Sequence, residues 1–278
     1  MSFKIVYDSC CDLPEEYYSD PRFQSVPLSL EVGDYHIMDD ETFDQAQFLK
    51  HVAESEECPK SACPSPDSYM QAFKTDADHV YCITLSSKLS GSYNSALIGK
   101  DLYEEEYGEK DIFIVDSLSA SCGLGLIALK IMEYEEQGLS FEEVVDKISA
   151  FRNDMTTFFV LDNLETLRKN GRLSGMKALV AATLSIKPVC EGVEGSIVQR
   201  GQGVGIRKAL VKMVDLIEKE SRDVEDRILA VSHCNNFERA MLVRDMILAR
   251  KKFKDAIVVD TRGVSSMYAN DGGIIVTY

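Results

Sequence analysis

The stretch "HVYCITLSSKLSGSYNSALIGKDLYEEEY", residues 79–107, decides how the chain is read. Its first seven residues form an apolar run of strand length, and residues 90–107 read as a helix. Between them, residues 84–96 hold five serines and a single glycine. Serine-rich runs are usually loops or linkers, but a linker does not belong at the end of a buried strand. The turn is therefore a strand-to-helix junction, and its hydroxyls need a purpose.

The same alternation extends outward in both directions. "FKIVYD" (3–8) is a short apolar run that stops at Asp8-Ser9, and "CDLPEEYYSD" reads as loop and helix. "SVPLSLEV" (25–32) reads as one strand. "ETFDQAQFLKHVAES" (41–55) reads as a helix with Thr42 and Gln45 as a capping box. A proline-punctuated loop follows, in which Ser65-Pro66 suits an N-cap and first helical position. "DIFIVDS" (111–117) is a strand, followed by helices over 121–138 and 140–154, the second boxed by Ser140 and Glu143. Strands of five to eight residues alternating with helices predict a mostly parallel sheet covered on both faces. Ligand crevices of such sheets lie beyond the carboxyl ends of the strands. Asp8-Ser9, the serine turn and Asp116-Ser117 then share one edge, which makes Ser9 and Ser117 candidate ligand contacts.

Beyond residue 155 the pattern changes. A strand over 156–161, a helical "NLETLRKNG", the apolar segment "MKALVAATLSI" and a hairpin in "KPVCEGVEGSIVQRG" precede further helices and strands that close with "GGIIVTY". The chain is accordingly expected to divide into an α/β domain over 1–155 and an α+β domain over 156–278.

Composition excludes several classes. Net charge is −16, from 46 acidic against 30 basic residues. Such a surface repels phosphate backbones and anionic lipid, so neither nucleic acid nor stable membrane binding is expected. The N-terminus lacks a signal-peptide pattern and no apolar run reaches the ~20 residues of a membrane span, which predicts a cytoplasmic protein. The eight cysteines contain no C-x-x-C, and the four histidines (36, 51, 79, 233) are not spaced as zinc ligands. Reduced thiols and no metal or cofactor are the expectation.

"CGLGLIA" (122–128) partly matches a dinucleotide fingerprint, but the preceding strand ends too early for the tight turn, so close helix–sheet packing is the better account. "RGQGVGIRK" (200–208) likewise reads as turn geometry, and neither a P-loop nor a G-x-S-x-G elbow occurs. His233 at a strand end leaves a Ser-His pair conceivable. Ser61 sits in a loop stiffened by prolines 59, 64 and 66, which suits either a ligand contact or a plain structured turn. For the serine turn two readings stand. Hydroxyls at a helix N-terminus join free N–H donors to make a small anion site, or one serine simply caps the helix.

Several segments together resemble the DegV family of bacterial fatty-acid-binding proteins. They are "DSCCDLP", "PKSACPS" where the family has P-x-T-S-Q-P-S, "LSSKLSGSYNSA", "DS" with "GLG" at 116–125, "LRKNGRLSG" (167–175) and "IKPV" (186–189). The resemblance covers nearly the whole chain. It implies two α/β domains with the ligand at their junction, and no catalysis. It implies that Ser61 and Ser90 hold the carboxylate of a long-chain fatty acid such as palmitate. Burying a methylene contributes roughly 0.8 kcal/mol, so a sixteen-carbon tail contributes over about ten gross. "SAC" departs from the family's T-S-Q, and Tyr268 stands where the family commonly has a histidine, so that its hydroxyl substitutes at the head group. Some members present the bound acid to a fatty-acid kinase for phospholipid synthesis, and by resemblance Arg172 contributes to that docking. Arg168, Lys169, Arg172 and Lys177 form a local positive cluster, read either as that contact or as a solvated helix end. The alternative from another class is an enzyme, either a serine hydrolase or a phosphotransferase like the dihydroxyacetone kinases.

Overall fold

In the computed structural model, which describes residues 1–173 and 185–278, the first sheet is parallel throughout. It is built from β1 (Phe3–Asp8), β2 (Phe23–Val26), β6 (His79–Thr84) and β7 (Asp111–Asp116) in the order β2-β1-β6-β7. Every residue of β6 is buried, as expected of a strand covered on both faces. Its two parallel neighbours are β1 and β7, so the carboxyl ends of all three strands meet at one edge.

The expected single strand over 25–32 is two strands. Pro27 has no N–H to give to a ladder, and the chain leaves the first sheet at Val26 to start β3 (Ser29–Val32). β3 pairs antiparallel with β4 (Tyr35–Met38) and with β5 (Lys60–Ala62). The proline-rich loop thus contains a short strand, and Ser61 is part of it. The helix expected over 41–55 is α1 (Gln45–Glu54), and its cap is Asp44 rather than Thr42. The Asp44 carboxylate accepts from the Gln47 amide at 2.9 Å, while Thr42 turns its hydroxyl onto Asp40. Ser65 does cap α2 (Pro66–Ala72), and Ser140 with Glu143 does box the start of α5 (Phe141–Asp154).

The second sheet is mixed, with order β10-β9-β8-β13-β11-β12. Its strands are β8 (Thr157–Val160), β9 (Ile186–Val193), β10 (Ser196–Val204), β11 (Ile228–His233), β12 (Asp255–Asp260) and β13 (Ile274–Thr277). β9 and β10 form the expected hairpin. The helices α6 (Glu165–Lys169), α7 (Ile206–Glu220) and α8 (Phe237–Leu248) fall where the pattern puts them. Most of the apolar segment over 176–186, and Lys177 of the expected positive cluster, lie outside the described residues.

Helix α4 (Cys122–Glu136) joins the two sheets. Leu124 and Ile127 belong to the core of the first sheet, whereas Cys122 and Leu126 pack with Ala230, Val259 and Ile275 of the second. That close approach explains "CGLGLIA": a side chain at Gly125 would sit 2.5 Å from the Asp12 carbonyl oxygen. A helix absent from the sequence reading, α9 (Gly263–Ala269), crosses back and buries Val264 and Met267 in the core of the first sheet. Among the described residues, no helix is long and apolar enough to cross a membrane.

Candidate functional site

The serine turn is built around two anchors. Asp8, at the end of β1, is fully buried. Its carboxylate accepts from the Leu85 amide at 2.7 Å, the Ser92 hydroxyl at 2.6 Å and the Cys10 amide at 3.2 Å. Burial pushes Asp8 up to about 6, and these donors pull in the opposite direction. Ser86 is the second anchor. Its carbonyl takes the amides of Leu89 and Ser90, and its hydroxyl donates to the Gly195 carbonyl at 2.8 Å. The turn is therefore fixed at both ends before helix α3 (Ser92–Tyr107) begins.

No side chain caps α3. Instead the Ser90 Oγ accepts from the Ser92 amide at 3.2 Å, and Ser90 lines a cavity of about 310 Å³. The carboxyl edge of the first sheet, helix α9 and the β9–β10 hairpin all contribute to its walls. Leu85, Leu89, Leu118, Phe159, Ile197 and Ile275 are among its apolar lining.

Three further polar side chains line the cavity with Ser90. The Ser61 Oγ lies 3.4 Å from the Tyr268 hydroxyl. Arg172 lines the same space and donates from Nε to the Leu89 carbonyl at 3.1 Å, one residue before Ser90. Burial raises the Tyr268 phenol pKa, while the Ser61 hydroxyl and the Arg172 charge lower it. Ser61, Ser90, Tyr268 and Arg172 thus form one group of donors around the cavity. An unpaired carboxylate entering a low-dielectric space is expensive, and such a group offsets that cost.

Several other lining hydroxyls are engaged within the fold. Ser119 pairs with Thr157 at 2.7 Å, and Ser121 donates to Asp12 and to Ser232. Ser265 turns to Cys10. The two remaining sequence candidates stand away from the cavity lining. Ser9 is buried and accepts from the Leu28 amide at 3.0 Å, holding the crossover between the sheets of β2 and β3. Ser117 is buried and closes its own loop onto Ser119. Both are at the expected sheet edge, but they point into the loops that shape it.

Arg172, expected at a partner contact, lines the cavity. It is half-buried against the Leu89 carbonyl, whereas Arg168 and Lys169 on α6 face solvent. Sequence reasoning missed the contribution of α9, whose Tyr268 it reached only through "MYANDGG". It also missed Cys63, an exposed thiol that lines the cavity beside Gly91. His233, the one conceivable base, instead faces Asp260 at 3.3 Å and accepts from the Asn236 amide. Neither it nor His36, His51 or His79 lines the cavity.

Comparison with known proteins bears on this arrangement. A model of the DegV family matches residues 2–278. A DegV domain-containing protein of Streptococcus pneumoniae is 34% identical over 282 residues, covering 100% of this chain and 99% of its own. A solved DegV family structure from Ruminococcus gnavus, refined with vaccenic acid, is 46% identical with a TM-score of 0.97 and full coverage of both chains. The Streptococcus pneumoniae Fatty Acid Kinase (Fak) B3 protein, loaded with linoleic acid, is 33% identical with a TM-score of 0.91, covering 100% of this chain and 99% of that one.

Proposed function

This chain belongs to the DegV family, and from that premise we propose that it binds a long-chain fatty acid in the cavity between its two sheets. The carboxylate lies among Ser61, Ser90 and Tyr268 with Arg172 beside it, and the acyl tail follows the apolar walls. Residues 1–155 supply the two serines, and 156–278 supply much of the tail's enclosure together with the tyrosine and the arginine.

One observation carries this reading. Ser61, Ser90, Tyr268 and Arg172 line one largely apolar cavity, and the Ser61 and Tyr268 hydroxyls meet there from segments far apart in sequence. The relatives of similar structure hold fatty acids, which is the ligand class that such a layout suits.

A carrier, rather than an enzyme, suits the chemistry of the serines. A nucleophilic serine needs a base within hydrogen-bond reach. Ser61 has a phenol for its neighbour and Ser90 a backbone amide. A carrier with its carboxylate at the polar group can offer that carboxylate to a kinase, as the name of the Streptococcus pneumoniae relative implies for that protein. On this acidic chain the exposed cations Arg168, which pairs with Glu165, and Lys169 lie on α6, whose Leu167 lines the cavity, and they supply a contact for an acidic partner surface.

The test is mass spectrometry of an organic extract from purified protein. Recovery of stoichiometric fatty acid supports the reading. Recovery of none, together with an unchanged melting temperature in palmitate, overturns it.

A further inference from the structure

The donors around the cavity come from strand β5, the serine turn, helix α9 and the segment after α6. Ser61 meets Tyr268, Arg172 holds the Leu89 carbonyl, and Cys63 lies 3.8 Å from Ser95, and the segment after α6 adds a tie to the Ser61 strand. Asn170 follows helix α6, and its side-chain amide donates to the Pro59 carbonyl at 2.9 Å and to the Thr166 carbonyl at 3.0 Å. Pro59 is two residues before Ser61. The Asn170 carbonyl in turn accepts from the Arg172 guanidinium, whose Nε holds the Leu89 carbonyl next to Ser90. One turn earlier, the buried Thr166 donates to Asn270, and the Asn270 amide donates to the Tyr268 carbonyl at 3.0 Å.

We propose that Asn170 is a positioning residue for the head-group site, setting the spacing between Ser61 and Ser90 by tying the Pro59 loop and Arg172 to α6. This rests on the fatty-acid reading above. The physical argument is one of loss on removal. Without its side chain, the Pro59 carbonyl keeps only the weak Cys58 thiol donor at 3.6 Å among the described residues, and the Ser61 strand, which pairs with β3, is less firmly held. Hydrogen bonds to a charged ligand fall off steeply with misplacement. The apolar walls, in contrast, do not involve Asn170, so tail binding is unaffected.

The experiment titrates the delipidated full chain with palmitate and with methyl palmitate, which shares the tail but lacks the charge. Wild type is expected to prefer the acid. In Asn170→Ala that preference falls about tenfold, the scale of one lost charge-assisted hydrogen bond, with ester affinity unchanged. Asn170→Asp, which keeps the shape but cannot donate to Pro59, behaves the same way, and Asn170→Gln restores part of the preference. Thermal melts confirm that each variant is folded, and if Asn170→Ala is not, the Asp and Gln pair decides the matter. Equal losses for acid and ester, or no loss for either, overturn the positioning role. Wild type that binds neither ligand overturns the fatty-acid reading itself, and the role with it.

Discussion

The hydroxyls of Ser61 and Tyr268 lie 3.4 Å apart although 207 residues separate them in the chain. Both line the same cavity, one from a short strand in the first third of the sequence and the other from a helix near its end. If a carboxylate binds between them, their contributions are coupled. In a double-mutant cycle of Ser61→Ala and Tyr268→Phe, each single change is expected to weaken palmitate binding by about ten-fold or more, near 1.5 kcal/mol for a bond to a charged group. The double change should cost less than the sum, by at least about 0.5 kcal/mol. Strict additivity would mean that the two hydroxyls serve different ends.

Ser90 offers a cleaner cut, because among the described residues its Oγ meets the Ser92 amide alone. Ser90→Ala is expected to lower palmitate affinity by about tenfold to a hundredfold and to leave methyl palmitate alone. Isothermal titration of both ligands checks this. A parallel loss for the ester would assign Ser90 to the fold of the turn instead.

The exposed cations address a partner. Arg168→Glu with Lys169→Glu is expected to slow acyl-phosphate formation by a fatty-acid kinase supplied with the loaded protein, and to leave palmitate affinity within about twofold, since rim charges act mostly on association. Unchanged kinase rates would remove this face from the docking surface.

Three buried carboxylates give the protein a definite pH dependence. Burial pushes Asp8 and Asp39 up to about 6 and Asp12 up to about 7, against an ordinary value of 3.8. The folded state then holds more protons than the unfolded state between about pH 4 and 7, so stability from these groups is greatest at the acid end and declines as pH rises through 6 to 7. Asp12 accepts from the Arg262 amide at 2.7 Å, a bond that an asparagine oxygen can also accept. Asp12→Asn is expected to flatten the decline in urea midpoint between pH 5.5 and pH 8. A slope as steep as that of the wild type would show that Asp12 is not one of its sources.

The tip of the β9–β10 hairpin depends on Gly195. Its φ is +79°, and an added side chain would meet the Ser86 Oγ at 2.5 Å. Gly138, with φ +77°, has open space around it. Gly138→Ala should cost about 1 kcal/mol of backbone strain, and Gly195→Ala should cost more, with a weaker hold on the serine turn. Equal costs in chemical denaturation would mean that the Ser86 contact yields without penalty.

Much of the fold was legible because β6 is a fully buried strand and its neighbours β1 and β7 are largely buried, a pattern that apolar runs declare. The serine turn was legible as a strand end, and Ser90 did prove to line a cavity. What failed to show were features that depend on distant partners. Pro27 splits a run that looks continuous, and it takes the pairing of β3 with β5 to see why. Helix α9 carries little amphipathic signal because both its faces are buried, one against the first sheet and one against the cavity. Ser9 and Ser117 looked equivalent to Ser90 by position, but which of three hydroxyls at one edge faces the cavity is settled by side-chain partners such as the Leu28 amide. The resemblance pointed Arg172 to a partner contact, and only its bond to the Leu89 carbonyl shows that it also lies beside the cavity.

The most direct measurement is a crystal structure of the full chain soaked with palmitate. The account predicts electron density for the acyl tail along Leu118, Phe159 and Ile275, with carboxylate oxygens within about 2.6–3.2 Å of the Ser61 and Ser90 hydroxyls. A carboxylate found instead at the Ser119–Thr157 pair, or a cavity that stays empty at saturating palmitate, would contradict it.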